Sequence, residues 1–243
     1  MNPALFTAAS RLCHGFLTPG GYALAYGSHA AGRARPHSDL DLVLIADTRP
    51  EPDELTALIA AVRSLHAEFG LDLDTEVDYA IKLVADRTDV EHAVSLGCFD
   101  RIGDRIVPQP VRTDPAWLNA RRFAVRLLLN ALTSEHVFLG GDATSYRSDR
   151  DRAEKALAQL VVGMQAPGAV TTLPLAVEAL SRAPNGAAGK DFLGYTPTAH
   201  LCSTLATGMT ALAADGAIRV EDGHRFHSLS PQTPAEKPWA DMH

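Results

Sequence analysis

The sequence predicts a mixed α/β fold in its N-terminal half and a mostly α-helical fold in its C-terminal half. In the first half, short apolar runs of strand length alternate with stretches in which apolar residues recur every three or four positions. From Asp114 the helical spacing continues without a clear strand until a short hairpin near the end. Pro108-Gln109-Pro110 separates the two patterns, so we expect domains over residues 1–110 and 111–230 and a flexible tail over 231–243.

The first half is predicted to run helix, strand, turn, strand, helix. Apolar residues at helical spacing predict the first helix over 3–16. Apolar runs then predict strands at about 22–27 and 40–46. Asp53 is the predicted N-cap of the next helix, and Gly70 ends it.

The same reasoning places the later elements. The predictions are a helix over 88–97, a strand over 101–107, and helices over 115–133, 148–164, 172–182 and 198–214. Ser148-Asp149-Arg150-Asp151 resembles a capping box that opens the helix running to Met164. Glu221-Asp222-Gly223, flanked by two short apolar runs, predicts the terminal β-hairpin.

Two carboxylates alternate at the start of the second predicted strand. In Asp39-Leu40-Asp41 the strand period of two places both acids on one face. Val43 and Ile45 continue that face and leucines fill the other, so the strand is apolar on both sides except at one end. Adjacent acids repel each other, and a divalent cation such as Mg²⁺, which prefers hard oxygen ligands, removes that conflict. The pattern predicts a metal site, and a solvated acidic edge strand is the alternative.

The first strand ends in Gly27-Ser28, which predicts a phosphate-binding turn. The residues that follow can turn directly into a short helix, whose first amides are unpaired donors. Gly27 lets the backbone approach a ligand closely, and the Ser28 hydroxyl adds a donor. One short segment therefore offers a phosphate cradle beside two metal-binding carboxylates.

Four more acids alternate in the stretch from Leu71 to Val84. Asp72, Asp74, Glu76 and Asp78 would share one face of an extended strand. For most of the four, a solvated acidic face is the simpler interpretation.

These features together resemble the nucleotidyltransferase superfamily of DNA polymerase beta. The family pattern is a hydrophobic residue, Gly, then Gly or Ser, a spacer, and Asp-hydrophobic-Asp/Glu-hydrophobic. Here it is Tyr26-Gly27-Ser28, a ten-residue spacer, and Asp39-Leu40-Asp41-Leu42; Ser38 and Arg33 in the spacer are also typical of the family. The resemblance covers about the first hundred residues. It implies an α/β (α+β) nucleotidyltransferase core with a mixed sheet.

The resemblance implies a role for each acid. Two Mg²⁺ ions would be held by Asp39, Asp41 and a third carboxylate on a neighbouring strand, which would also act as general base. Glu76 is the favoured third acid because it lies mid-strand between apolar or β-branched neighbours. Asp78 is the second choice and Asp74 the third.

The resemblance also implies the reaction. Gly27, Ser28, Arg33 and Ser38 would bind the nucleotide, and a nucleoside monophosphate, AMP from ATP, would move to a hydroxyl with release of pyrophosphate. The helical half would cover the cleft and shape the acceptor pocket. The candidate phosphate-binding cations there are Arg121, Arg122 and Lys155.

The composition indicates a cytoplasmic protein. The N-terminus lacks a basic leader before an apolar core, and no apolar run is long enough to span a bilayer, so we expect no signal peptide and no membrane partner. The three cysteines (Cys13, Cys98 and Cys202) are far apart and form no CxxC motif, which argues against a zinc site or a disulfide framework.

The net charge of the chain favours one class of acceptor over another. The net charge of −7 favours a small or cationic substrate over a nucleic-acid backbone. The layout is similar to that of antibiotic nucleotidyltransferases, so a small molecule such as an aminoglycoside-like or natural-product acceptor is the first interpretation. The alternatives are a toxin-type enzyme that modifies tRNA or a protein, and a catalytically inactive nucleotide-sensing module.

Overall fold

The computed structural model describes residues 2–73, 84–103, 105–107, 121–166, 168–181, 195–222 and 225–228. Over these ranges the protein is a mixed α/β structure with eight helices and nine strands. The helices are α1 (Pro3–His14), α2 (Gly27–Ala30), α3 (Pro52–Phe69), α4 (Arg87–Val94), α5 (Arg121–Thr133), α6 (Ala143–Met164), α7 (Leu173–Ser181) and α8 (Ala199–Ala214). The strands are β1 (Tyr22–Tyr26), β2 (Asp41–Ile45), β3 (Val84–Ala85), β4 (Asp100–Ile102), β5 (Arg105–Val107), β6 (Val137–Gly141), β7 (Val170–Thr172), β8 (Ile218–Glu221) and β9 (Arg225–Ser228).

The chain divides into two compact units that interleave along the sequence. The first contains Met1–Glu91 and Thr113–Asp149, and the second contains His92–Arg112 and Arg150–His243. The domain boundary predicted at residue 110 lies outside the described residues and stays a prediction.

The first unit is built around a four-stranded mixed sheet with the order β3-β2-β1-β6. Strands β1 and β2 are antiparallel, with Tyr26 opposite Asp41. Strands β2 and β3 are parallel, with Leu44 opposite Val84. Strand β6 pairs antiparallel with the other side of β1. The predicted mixed sheet is therefore present in this unit.

Both faces of the central strands are covered, which explains why their sequences do not alternate between apolar and polar residues. On one face, alanines and leucines of β1 and β2 pack with buried side chains of α1 and α3. The opposite face carries the remaining residues of the two strands, which are also buried. Each large side chain that is fully buried in this way contributes about 1.5–3 kcal/mol to stability.

Side-chain caps fix the start of the two helices that cover the first face. The Asn2 side chain accepts the first amides of α1 at 3.2 and 3.3 Å. Glu51 and Glu54 form a reciprocal capping box at the start of α3, so the predicted cap Asp53 is a first-turn residue instead. The helix ends at Gly70 in the left-handed conformation, as predicted.

Strand β6 is the main departure from the predicted fold. Two adjacent glycines in Val137–Gly141 suggest a break in helical structure, but both lie in the strand. A Cβ on Gly140 would lie 2.3 Å from the His14 ring, and one on Gly141 would lie 2.3 Å from the Gly21 carbonyl oxygen. Gly140 therefore allows close packing against α1 and Gly141 against the start of β1, a requirement that local sequence does not reveal.

Helix α6 begins five residues earlier than predicted. The Asp142 carboxylate accepts the amides of Thr144 and Ser145, both at 2.8 Å, and thereby caps the helix. The predicted cap Ser148-Asp149 lies within the helix. Asp149 is buried rather than exposed at a helix end.

Asp149 belongs to a buried polar cluster on the face of β1 opposite α1 and α3. The Tyr22 hydroxyl donates to Asp149 Oδ2 at 3.0 Å, and Arg87 Nη2 lies 2.7 Å from the same oxygen. Burial, together with the negative charge of Asp149, raises the pKa of Tyr22. The phenol therefore remains a hydrogen-bond donor to this carboxylate.

The second unit combines a hairpin, a three-stranded sheet and helices. The strand predicted over 101–107 is in fact two antiparallel strands, β4 and β5. The predicted terminal hairpin is present, since β8 pairs with β9 from Ile218 opposite Ser228 to Glu221 opposite Arg225. Strand β7, which was not predicted, extends this sheet along β9.

A glycine sets the distance between two helices of the second unit. A Cβ on Gly208 of α8 would lie 2.1 Å from the carbonyl oxygen of Glu154 in α6 and 2.9 Å from the Ala158 Cβ. The two helices therefore approach each other through backbone contact at this position.

Among the described helices, none combines the length and apolar character needed to cross a bilayer. The three cysteines are free thiols. Burial raises the pKa of Cys13 to about 12, so this thiol is a packing group of α1.

Candidate active site

The Gly-Ser turn and the second carboxylate of the motif meet at one edge of the first sheet. Tyr26 ends β1 opposite Asp41, which begins β2. Gly27 follows with φ of +73°, a conformation that favours glycine. A Cβ at this position would lie 2.1 Å from Asp41 Oδ2, so the carboxylate occupies the space that a side chain would fill. Glycine is required here by both conformation and contact.

Asp39 lies just before β2, and a buried histidine anchors the backbone beside it. The Leu40 amide donates to His66 Nε2 at 3.1 Å, and His66 Nδ1 donates to the Val62 carbonyl at 2.8 Å. These two bonds require the neutral Nδ1–H tautomer, because one partner can only donate and the other can only accept. Asp39 is half-buried, and its carboxylate has no hydrogen-bond or ion-pair partner among the described residues.

The spacer between the turn and the carboxylates is an ordered loop. The Arg35 amide donates to the Ser38 hydroxyl at 2.9 Å, and the Ser38 amide donates to the Arg35 carbonyl at 3.0 Å. His29 Nε2 contacts the Ser38 carbonyl at 2.9 Å. Ser38, predicted to bind nucleotide, therefore has a structural role in this loop.

Arg33, the other spacer residue predicted to bind nucleotide, is tied to the turn through its backbone. Its amide donates to the Ser28 carbonyl at 2.8 Å. Its guanidinium Nη1 lies 3.6 Å from Glu135 Oε1. Glu135 comes just before β6, in which Val137 lies opposite Ala25 of β1. The unpredicted strand thus brings an acidic residue to the edge that carries the turn.

The three candidates for the third carboxylate, Asp74, Glu76 and Asp78, lie outside the described residues. The chain on either side of these acids is attached next to β2. The Asp72 amide donates to the His37 carbonyl at 2.9 Å, close in sequence to Asp39.

Beyond the acids, the chain re-enters the described structure at Val84, which pairs with Leu44 of β2. Within the described part of the chain, no group of three or more His, Cys, Asp or Glu side chains is close enough to hold a metal ion. A site made of Asp39, Asp41 and one later acid lies outside that finding.

Two of the three basic residues proposed for the helical half, Arg121 and Lys155, have acidic partners of their own. Arg121 forms ion pairs with Asp86 and Asp89 at the start of α4. Asp86 and Asp89 also cap that helix by accepting each other's amides at 3.0 and 2.9 Å. In the second unit, Lys155 pairs with Asp215.

Two residues of the site region were not found by sequence reasoning. His66 was detectable as the single histidine beside the apolar stripe of α3, four residues after Val62. Glu135 gave no signal, because it reaches the site region only through the pairing of β6 with β1.

The chain matches no family model, no curated protein and no solved structure.

Proposed function

We propose that the protein is a metal-dependent nucleotidyltransferase. It would transfer a nucleoside monophosphate, AMP from ATP, to a hydroxyl of a small molecule such as an aminoglycoside-like or natural-product acceptor. Pyrophosphate would be the second product.

The observation that carries the proposal is the contact between Gly27 and Asp41. A turn whose first amides are available for an anion lies directly against a carboxylate that can bind a cation. Nucleotidyl transfer requires an anion-binding turn beside a metal-binding carboxylate, because a triphosphate and its metal ions must be held together. A purely structural turn does not need an acid in the space that a Cβ would occupy.

The residues present fit Mg²⁺. Asp39 and Asp41 supply the hard carboxylate oxygens that this ion prefers, and Asp39 has no competing partner within the described ranges. Bound Mg²⁺ would supply charge neutralisation for the triphosphate and orientation of the reacting oxygen.

The chain's own residues would supply binding and proton transfer. The amides of the Gly27-Ser28 turn would donate to phosphate oxygens, and Arg33 would provide a positive charge beside them. His66 would keep the backbone at Asp39 in place through its bond to the Leu40 amide.

The proton of the acceptor hydroxyl would pass to the third carboxylate. Glu76 is proposed for this role, with Asp78 and then Asp74 as alternatives. Support for the location comes from Asp72 and Val84, which attach both ends of the acid-bearing segment beside β2.

The test is Mg²⁺-dependent pyrophosphate release from each of the four NTPs. The acceptor panel contains aminoglycosides, lincosamides and bulk tRNA. We expect release with one NTP and one small-molecule class, and a loss of about 10²-fold or more in Asp41→Asn, since a metal ligand is removed.

The matched control is Asp47→Asn, an exposed acid just beyond the other end of β2. It should keep wild-type activity. Turnover that is unaffected by Asp41→Asn would refute the assigned site. Release only with tRNA would refute the small-molecule acceptor.

A further inference from the structure

The ion pair between Arg33 and Glu135 lies beside the proposed anion-binding turn. The guanidinium is about half-exposed, at 47%, and the carboxylate is 27% exposed. In the described part of the chain, neither side chain has another ion-pair partner. The pair is therefore a single contact within reach of solvent.

Different backbone contacts hold Arg33 and Glu135 at the sheet edge that carries the turn. Arg33 is held to Ser28 by its amide, so its long side chain starts next to the turn. Glu135 is positioned by strand β6, two residues before Val137, which pairs with Ala25. Both backbones are therefore held independently of the ion pair, so breaking the pair requires only side-chain movement.

An exposed pair of this kind is weak. Its attraction is reduced by solvent and by the entropy of holding two long side chains together. A polyphosphate carries several charges and offers bidentate geometry to a guanidinium, so it can displace one carboxylate.

We infer that Glu135 is an internal competitor for the polyphosphate site. Its carboxylate holds Arg33 in the free protein, a nucleoside triphosphate or pyrophosphate displaces it, and the pair re-forms when pyrophosphate leaves. The ligand class is a polyphosphate anion. The inference rests on the proposed function, because it assumes that the turn binds phosphate.

The effect of this competition on the apparent affinity for the anion can be calculated. If the pair has the usual strength of an exposed ion pair, it lowers the apparent affinity for the competing anion by about two- to sixfold. Removing the competitor should therefore tighten binding by this factor.

The experiment measures the Kd of Mg²⁺-ATP and of pyrophosphate by calorimetry for wild type, Glu135→Gln, Arg33→Gln and the double variant. We expect Glu135→Gln to bind both ligands about two- to sixfold more tightly. The advantage should shrink from about 50 to 500 mM NaCl, because salt screens exposed charges. It should vanish in the Arg33→Gln background.

The matched control is Arg35→Gln, an exposed arginine of the same loop that has no ion pair with any described residue. Glu135→Gln should keep its effect in this background. Thermal unfolding of each variant shows whether the fold is intact.

Unchanged or weaker binding by Glu135→Gln would overturn the inference. An equal gain in the Arg33→Gln background would also overturn it, because the gain would then reflect net charge alone. If wild type binds neither ligand, the proposed function fails and takes this inference with it.

Discussion

The contact between Gly27 and Asp41 yields the sharpest prediction, which concerns Gly27→Ala. An added Cβ would lie 2.1 Å from Asp41 Oδ2, whereas ordinary contacts begin at 3.4 Å. The carboxylate must therefore move by about 1.3 Å, or the turn must shift by the same amount. A displacement of about 1 Å at a reacting centre can lower the rate about 10²-fold.

Gly32, two residues after the end of α2, provides a matched control. Its φ of +69° is close to the +73° of Gly27, but a Cβ there would meet nothing within 4 Å. Each alanine substitution places a side chain in the left-handed region, at a cost of about 1–2 kcal/mol. For a chain of this size, that cost lowers the Tm by about 2–8 °C.

Both variants should therefore lose similar stability from the backbone alone, and Gly27→Ala should lose additional stability from the clash. The assay combines thermal unfolding with Mg²⁺-dependent pyrophosphate release. We expect Gly32→Ala to keep activity near that of wild type below its Tm and Gly27→Ala to lose about 10²-fold. Equal activity of the two variants would refute the view that Asp41 must occupy the space beside Gly27.

Two further predictions concern stability. Gly208→Ala should lower the free energy of unfolding by about 1–3 kcal/mol, because its Cβ would clash with the Glu154 carbonyl. The control is Thr210→Ala, on the exposed side of the same helix, which should not destabilise the protein. Denaturant unfolding measures both, and a larger loss for Thr210→Ala than for Gly208→Ala would contradict the close contact. Asp142→Ala should lower the Tm at pH 7, while Asp142→Asn, which can still cap the helix, should change it little. Hydrogen bonds from the Ser145 and Thr144 amides lower the pKa of Asp142, so its stabilisation is present above the ordinary aspartate pKa and is lost as pH falls through the lowered value. The Tm difference between wild type and Asp142→Ala should therefore narrow as the pH falls below the ordinary aspartate pKa, and a difference that widened on acidification would contradict this assignment.

The strand–turn–strand segment was predictable because its signals are local. Gly27 ends one apolar run, and Leu42 to Ile45 form a second apolar run of strand length, so the predicted bounds of both strands agree with the structure within one residue at each end. Their pairing places Asp41 opposite Tyr26, and this brings the two halves of the sequence motif together.

The remaining features depend on contacts that are distant in sequence. Strand β6 pairs with β1 although more than 100 residues separate them, and two adjacent glycines are not typical of a strand. Asp149 looked like a helix cap, but its partners Tyr22 and Arg87 come from elements far away in the chain. The ion pair between Glu135 and Arg33 also depends on strand β6, which positions Glu135.

Strand β6 also has a consequence for the order in which the protein can assemble. During synthesis, Tyr22–Tyr26 emerges long before Val137–Gly141. The backbone donors and acceptors of β1 that pair with β6 therefore have no partner strand until β6 has been made. Until then β1 is an apolar edge strand, the kind of surface that pairs with other nascent or unfolded chains. The sheet that carries the turn and the carboxylate can therefore be completed only after Gly141 has left the ribosome. We expect chaperones to bind this early, incomplete form of the sheet.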